Sequence, residues 1–267
     1  MALIQLNYAS AALQRNVPVQ VILPVDKKDP DGKLRKKKKF KTLYLLHGYQ
    51  GNYMSWVSNT RIQRWAEERD LCVVMPSGDN AFYVDHPATG NNYGEFIGKE
   101  LVEMTRRMFP LSDKREDTFI GGLSMGGFGA MRNGLKYHNT FGAIISFSGA
   151  LDLFATWEND PQNITFRDLF GDYANAVNTD NNPVWLARKL ARKKNLPDIY
   201  IACGTEDFLL SHSRDFRDLL VENGYNITYE EGPGSHEWDF WDTYIKKALD
   251  WLPLVNTAED NNSGNAN

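Results

Sequence analysis

The sequence predicts an α/β fold with a mostly parallel central sheet of about eight strands flanked by helices. Short apolar runs alternate with longer helical stretches, which is the pattern of strands covered by helices on both faces. A Gly-x-Ser-x-Gly motif (Gly122, Ser124, Gly126) stands between one such strand and the helix that follows it. With 267 residues the chain can bury one large core, so we expect a single domain over residues 1–255.

The elements follow in order along the chain. The alternating segments 3–8 and 17–23 predict antiparallel edge strands at the start of the sheet. Runs of large apolar residues predict the parallel core strands at 43–46, 71–75, 118–120, 143–147 and 199–202. A further strand is expected at 226–230. Helices are expected near 62–69, 96–109, 125–137, 183–194, 213–223 and 238–251.

Two segments lack this regular alternation. Residues 151–182 show no clean periodicity but carry several large aromatic side chains, so we expect a small cap over the functional site. Most of these aromatic residues are expected to form the core of the cap, and the alternative is that they line a ligand pocket. The Asn-, Gly- and Ser-rich segment 256–267 is expected to be a disordered tail.

A basic stretch interrupts the chain between the second and third predicted strands. Nine lysine and arginine residues fall between residues 27 and 41: Lys27, Lys28, Lys33, Arg35, Lys36, Lys37, Lys38, Lys39 and Lys41. A charge run of this kind is most often a solvated loop, and a site for an anionic partner is the alternative.

Composition excludes several classes of function. The formal net charge of −4 gives no general attraction to nucleic acid or to an anionic membrane. There is no apolar run of the length that spans a bilayer and no visible secretory signal, so we expect a cytoplasmic protein. Cys72 and Cys203 lie in apolar runs and are interpreted as small core residues. No metal or organic cofactor is expected, and the sequence is compatible with a homo-oligomer.

The glycine-flanked serine carries the strongest chemical signal. A strand at 117–120 leads into Gly122-Leu123-Ser124-Met125-Gly126, and a helix follows. Small neighbours let the chain turn sharply, which places the Ser124 hydroxyl above the sheet and close to a helix N-terminus. The pattern predicts a nucleophile elbow. The alternative is an ordinary turn in which Ser124 only caps the helix.

A nucleophilic serine needs a histidine base, and chain order selects one of the five histidines. In this arrangement the serine, acid and histidine follow one another along the chain. His47 and His86 precede the serine. His138 lies at the far end of the next helix, and His212 leaves no room for an acid-bearing strand before it. His236, in a glycine-rich loop before the last helix, is therefore the predicted base.

The orienting acid should follow the strand that precedes the histidine loop. That strand ends at Cys203-Gly204, and Glu206 and Asp207 come directly after it. We expect Asp207 to be the acid, with Glu206 as the alternative. A third interpretation is that Asp207 only caps the next helix.

An oxyanion hole requires two backbone N–H donors. Met125 follows the nucleophile and is the first predicted donor. The second is predicted to be Tyr49, because a buried strand runs into His47-Gly48 directly before it. His47 is then expected to brace the loop.

These motifs together resemble a known family. His47-Gly48, Gly122-Leu123-Ser124-Met125-Gly126-Gly127, Cys203-Gly204-x-x-Asp207-Phe208 and His236-Glu237-Trp238 are similar to those of the esterase D-like αβ-hydrolases. The nearest groups are the bacterial tributyrin esterases and acetyl esterases, which are related to carbohydrate esterase family 1. The resemblance covers about residues 3–252 and implies an αβ-hydrolase fold. It also implies a serine carboxylesterase with Ser124, Asp207 and His236 as its triad.

The expected substrate is a short-chain acyl ester, from acetyl to butyryl, with an acylated oligosaccharide as one natural form. Aromatic residues expected near the carboxyl ends of the strands are candidate substrate contacts: Tyr83, Trp185, Phe208 and Trp238. A feruloyl (cinnamoyl) esterase is one alternative and an S-formylglutathione hydrolase-like thioesterase another. Those thioesterases usually have Gly-Gly-His-Gly where this chain has Phe128. An acyltransferase with the same triad stays open, and a non-catalytic binding protein is the remaining alternative.

Overall fold

The computed structural model describes residues 1–29, 31–35 and 39–255. The predicted tail at 256–267 and the basic residues Lys36, Lys37 and Lys38 lie outside the described residues.

An eight-stranded sheet forms the centre of the molecule. Its strands are β1 (Ala2–Ser10), β2 (Arg15–Leu23), β3 (Lys41–Leu46), β4 (Leu71–Pro76), β7 (Thr118–Leu123), β8 (Ala143–Phe147), β9 (Asp198–Gly204) and β10 (Ile227–Gly232). Two further strands of two residues each, β5 (Asp85–His86) and β6 (Asn91–Asn92), pair with each other outside this sheet. The order across the sheet is β1-β2-β4-β3-β7-β8-β9-β10. Strands β4, β3 and β7 to β10 run parallel, whereas β2 is antiparallel to both of its neighbours. This confirms the predicted α/β fold.

Helices cover both faces of the sheet. They are α1 (Ser55–Asn59), α2 (Ile62–Glu67), α3 (Tyr93–Glu95), α4 (Leu101–Met108), α5 (Met125–Lys136), α6 (Leu153–Asn159), α7 (Ile164–Phe170), α8 (Tyr173–Ala176), α9 (Pro183–Leu190), α10 (Leu210–Glu222) and α11 (Trp238–Trp251). One π-helical segment, Phe96–Glu100, joins α3 to α4. Every residue of β4, β7 and β8 is buried, because helices cover these central strands from both sides.

Two apolar cores lie on opposite faces of the sheet. One contains the buried residues of α5 and the aromatic residues of the 151–182 segment, and the other contains those of α2 and α11. Strand side chains alternate between them: Tyr44 belongs to the first core, and Leu43 and Leu45 belong to the second. Both faces of the central strands are therefore covered. The loops at the carboxyl ends of these strands are the place where side chains can meet a ligand.

One expectation about the sheet is wrong. β2 is not an edge strand, because it lies between β1 and β4 and is buried along most of its length. The segment expected to form a small cap contains the short helices α6, α7 and α8.

The expectation for the two cysteines is confirmed. Cys72 and Cys203 are free and buried, as core residues would be. Among the described residues, no helix is long and apolar enough to cross a bilayer. Within the same ranges, no group of histidine, cysteine or carboxylate side chains is arranged to hold a metal ion.

Candidate active site

The serine lies at a sharp turn between β7 and α5. Ser124 has a φ of 55° and a ψ of −118°, a conformation that L-residues seldom adopt outside strained functional turns. The turn needs its glycines, because a Cβ on Gly126 would lie 2.5 Å from the Leu46 carbonyl oxygen. A Cβ on Gly122 would lie 2.4 Å from the Gly126 carbonyl oxygen. The predicted elbow geometry is therefore present at Ser124.

The predicted acid and base are in direct contact. Asp207 follows β9, and His236 follows β10, the next strand of the sheet. Nδ1 of His236 lies 3.0 Å from Oδ2 and 3.1 Å from Oδ1 of Asp207. Because a carboxylate only accepts, Nδ1 carries the proton and Nε2 is left as the basic nitrogen.

Hydrogen bonds keep the Asp207 carboxyl ionised although it is only 5% exposed. Burial raises its pKa, but bonds from His236, Ser148 and the Leu209 N–H lower it more, so the pKa of Asp207 lies below its usual range. The Leu209 N–H donates to Oδ1 at 2.8 Å. A negative charge is thus fixed beside the imidazole.

The side chain of Glu206, the alternative acid, bonds the backbone of the histidine loop and not the imidazole. Its side chain is exposed, and Oε2 accepts a hydrogen bond from the Gly234 N–H at 2.7 Å. This contact holds the histidine loop against the turn after β9. The structure therefore pairs Asp207 with His236 and gives Glu206 a contact with the loop backbone.

Aromatic rings flank the histidine on two sides. The Phe208 ring lies 4.6 Å from the imidazole, between ring centres, and Trp241 meets the imidazole edge-on at 5.0 Å. Nε1 of Trp241 donates to Oγ of Ser148 at 3.1 Å, and Ser148 also bonds Asp207. Ser148 and Trp241 were not predicted from the sequence. Their only sequence signal is that Ser148 follows a core strand and Trp241 lies on the apolar face of the last helix.

A backbone hydrogen bond links the serine turn to the loop after β8, which contains Ser148. The Ala150 N–H donates to the Ser124 carbonyl at 3.3 Å, two residues beyond Ser148. Neither Oγ of Ser124 nor Nε2 of His236 has a hydrogen-bond partner within the described part of the chain. Nucleophile–base bonds are often long in ligand-free enzymes and shorten when substrate binds.

One predicted oxyanion donor, Met125, directly follows the serine, and Gly48, the residue before the other donor, also lies next to it. Gly48 passes so close that a Cβ on it would be 3.4 Å from Cβ of Ser124 and 2.6 Å from the Leu123 side chain. The N–H groups of Tyr49 and Met125 make no hydrogen bond to the described residues. Met125 also opens α5, where the helix dipole favours negative charge.

His47 braces this loop. Its Nδ1–H donates to the Gly48 carbonyl at 2.7 Å, and its Nε2 accepts from the Gly78 N–H at 2.8 Å. Burial lowers the pKa of His47, which keeps the ring neutral with both nitrogens occupied. The predicted bracing contact is therefore present.

The four aromatic candidates for substrate contact lie in different environments. Tyr83 is fully buried and donates to the His47 carbonyl at 2.9 Å, so its ring presents no surface to a ligand. Trp185 is half-buried on α9 beneath the Lys189 ammonium. Trp238 is half-buried against Trp56. Phe208 is 74% exposed beside the histidine, which makes it the most accessible of the four.

This fold and this site define the class of the protein as an αβ-hydrolase with the residue arrangement of a serine esterase. The chain belongs to the putative esterase family, whose sequence profile matches residues 10–252. It is 44% identical over 266 residues to the acetyl esterase of Caldicellulosiruptor saccharolyticus, and the match covers 96% of this chain and 99% of that one.

Two solved structures from Staphylococcus aureus are also similar. The fluorophosphonate-binding serine hydrolase FphF has a TM-score of 0.83 at 32% identity, and the S-formylglutathione hydrolase FrmB has 0.82 at 33%. Each comparison covers 94% of this chain and 98% of the other. The chain is thus a carboxylic ester hydrolase, and the resemblance to the esterase D-like αβ-hydrolases is confirmed.

Proposed function

We propose that this enzyme hydrolyses short-chain acyl esters, from acetyl to butyryl, through an acyl-enzyme formed on Ser124. The contact between Asp207 and His236, at the sheet edge that carries the serine turn, is the observation that supports this mechanism. The acetyl esterase relative supports the choice of acyl group.

The reaction follows from the positions of the groups. Nε2 of His236 takes the hydroxyl proton while Oγ of Ser124 forms a bond to the ester carbonyl carbon. The N–H groups of Tyr49 and Met125 stabilise the oxyanion, and Asp207 stabilises the imidazolium. The bond to the alcohol breaks as His236 returns the proton to the leaving oxygen. A water deprotonated by His236 then attacks the acyl-enzyme and releases the acid and free Ser124.

Aromatic packing near Tyr49 supports a short acyl group. The Phe82 ring lies 6.2 Å from Tyr49, 5.7 Å from Phe128 and 6.5 Å from Phe170. Phe128 and Phe82 are buried, so this cluster is already filled by its own side chains. A small acyl group fits beside such a wall better than a long chain does.

The proposed architecture is one catalytic domain over residues 1–255 with a cap at 151–182. Phe170 in the cap contacts Phe82 and Phe128. At the end of the same segment, the Arg132 guanidinium from α5 donates to the Asp180 carbonyl at 2.9 Å. The cap is thus attached to the helix that follows the serine, which supports a role in shaping the substrate site. A homo-oligomer stays a prediction.

The 33% identity to an S-formylglutathione hydrolase makes that thioester the second candidate substrate. Against it, Phe128 is buried in α5 at the position where those enzymes usually carry histidine. Turnover of S-formylglutathione should therefore be slower than turnover of p-nitrophenyl acetate. The reverse order would favour the second candidate.

The mechanism is tested with Ser124→Ala. We expect kcat/KM on p-nitrophenyl acetate to fall by about 10⁴ or more, and a fluorophosphonate probe should label the wild-type peptide that contains Ser124. Ser58→Ala, on the exposed face of α1, is the matched control and should behave as wild type. Ordinary turnover by a well-folded Ser124→Ala protein would overturn the proposal.

Substrate class is tested with a panel. We expect p-nitrophenyl acetate and butyrate to be hydrolysed faster than palmitate, and acetylated xylo-oligosaccharide to be hydrolysed faster than methyl ferulate. Preference for palmitate, or ferulate exceeding acetate after correction for the leaving group, would contradict the short-acyl assignment. Adding an alcohol and measuring ester exchange separates hydrolysis from acyl transfer.

A further inference from the structure

A tight turn shapes the oxyanion loop, which spans residues 47–52. The Gly51 N–H donates to the Gly48 carbonyl at 3.1 Å and closes this turn. Gln50 is the third residue of the turn and has a φ of 61°, a conformation that turns normally give to glycine or asparagine at this position. A glutamine keeps such a strained conformation only when contacts from outside the turn hold it there.

Asn80 supplies a contact of this kind. Its side-chain Oδ1 accepts a hydrogen bond from the Gln50 N–H at 2.8 Å, across 30 positions of the chain. Both residues are exposed, so neither is part of the two apolar cores. The effect of the bond therefore falls on the local backbone of the turn.

This bond acts on the peptide groups that flank Tyr49. The Tyr49 N–H belongs to the same peptide group as the Gly48 carbonyl, which accepts from Nδ1 of His47 at 2.7 Å. The Gln50 N–H belongs to the next peptide group, which Asn80 holds. Because each peptide group is planar, contacts that fix both groups also fix the direction of the Tyr49 N–H.

The loop that presents Asn80 is itself held in place. The Asp79 carboxylate pairs with the Arg15 guanidinium at 2.9 Å and accepts a hydrogen bond from the Tyr93 hydroxyl. On the other side, the Gly78 N–H donates to the imidazole of the oxyanion loop at 2.8 Å. Asn80 follows these two anchored residues, so its amide oxygen is a fixed point against which the turn is held.

The direction of the Tyr49 N–H matters because the turn lies against the nucleophile. A Cβ placed on Gly48 would lie 3.4 Å from Cβ of Ser124. An oxyanion donor acts at about 2.7–3.1 Å from the negative oxygen, and loss of one donor lowers kcat by about 10² to 10³. A donor that is present but less well directed should cost a smaller factor.

We propose that Asn80 is a positioning residue for ester hydrolysis, which directs the Tyr49 N–H at the oxyanion through its bond to Gln50. It touches no reacting atom, and the proposal rests on the proposed esterase function. Formation and hydrolysis of the acyl-enzyme both pass through an oxyanion, so the effect falls on kcat whichever step limits the rate. The planar ester carries less charge on its oxygen, so KM should change little.

The test compares hydrolysis of p-nitrophenyl acetate with inhibition by butylboronic acid, which forms a tetrahedral anion on the serine oxygen. We expect Asn80→Ala to lower kcat by about tenfold, with KM within about twofold of wild type. The inhibition constant of butylboronic acid should rise by about the same factor as kcat falls, because the adduct resembles the transition state. A structural role alone would not produce this proportionality.

Two further variants complete the test. Asn80→Asp keeps an acceptor oxygen for the Gln50 N–H, so it should recover most of the lost kcat at high ionic strength, where its added charge is screened. Asn226→Ala is the matched control: it removes an exposed asparagine whose Nδ2 bonds Asp198 at the amino ends of β9 and β10. We expect Asn226→Ala to leave kcat and the inhibition constant unchanged.

Amide hydrogen exchange at Gln50, followed by NMR, tests the bond without turnover. Exchange should be faster in Asn80→Ala than in wild type, and close to wild type in Asn80→Asp and Asn226→Ala. Failure of the esterase proposal would show in the wild type and in Ser124→Ala, whereas failure of the positioning role would show only between the Asn80 variants and their control. The two failures are therefore distinguishable.

Three results would overturn the inference. The first is a kcat and an inhibition constant of Asn80→Ala that match those of Asn226→Ala. The second is a rise in KM with kcat unchanged, and the third is a loss that Asn80→Asp does not recover. Thermal unfolding checks the fold of each variant. If Asn80→Ala does not fold, Asn80→Gln, which displaces the amide by one methylene, is held to the same expectations.

Discussion

Replacing Asp207 with asparagine tests the contact on which the proposed mechanism depends most. Asparagine keeps the size of the side chain but removes its negative charge. Its amide can also present an N–H to Nδ1, which would move the imidazole proton to Nε2 and block the base. The Leu209 N–H can still donate to the amide oxygen, so the turn after β9 should persist.

The size of the effect follows from the geometry. Two unit charges 3.0 Å apart, at an effective dielectric constant near 20, attract by about 5.5 kcal/mol. If this attraction is available only when His236 becomes an imidazolium, its loss lowers the rate by about four powers of ten. Because His236 is partly exposed to solvent screening, we expect a fall in kcat/KM of about 10³ to 10⁴.

The assay is hydrolysis of p-nitrophenyl acetate, accompanied by circular dichroism and thermal unfolding to confirm the fold. Glu206→Gln is the matched control, because it neutralises the adjacent carboxylate without changing the Asp207–His236 pair. We expect Glu206→Gln to stay within about tenfold of wild type. A folded Asp207→Asn enzyme that loses less than about tenfold, or a crippled Glu206→Gln enzyme, would refute the assignment of the acid.

Two further variants test neighbouring features. His47→Ala should destabilise the fold by about 1–3 kcal/mol at pH 8, because it leaves the Gly78 N–H without its acceptor. Since burial lowers the pKa of His47, the unfolded state protonates first, so the stability due to His47 is present above about pH 6.5 and is lost as the pH falls below that value. Urea unfolding at pH 8 and 5.5 should show a smaller difference between wild type and variant at the lower pH, and a larger one would contradict this. Phe208→Ala should leave thermal stability nearly unchanged, because the ring is exposed. The same variant should raise KM for acetylated oligosaccharide more than it lowers kcat, and Phe208→Tyr should restore binding. An unchanged KM would remove Phe208 from the proposed substrate surface.

Much of the site could be predicted because its signals are local. The serine turn requires small residues at fixed offsets, and the close approach of Gly126 to the Leu46 carbonyl shows why. Chain order then restricted the base to His236, and the structure places His236 against Asp207. Local pattern does not decide between Glu206 and Asp207, because the choice depends on a turn in which the Asp207 N–H donates to the Gly204 carbonyl at 3.1 Å.

The features that were missed depend on tertiary packing. The bond from Trp241 to Ser148 joins residues 93 positions apart, and nothing local marks either partner. The helices α6, α7 and α8 contain only seven, seven and four residues, too few to establish a helical period. Alternation predicts an edge position for β2 wrongly, because it indicates which face of a strand is buried and does not indicate which strands lie beside it.

The tight packing of Gly48 against the serine and of Gly126 against the preceding strand end has a consequence for altering this enzyme. Both contacts leave no room for a methyl group, so the oxyanion loop and the serine turn can only change together. Arg167 and Asp168 in the cap and Phe208 are free of this constraint, because their side chains are exposed. A mutant library confined to these three positions can therefore search for new substrate preferences while the atoms that carry out ester cleavage keep their places.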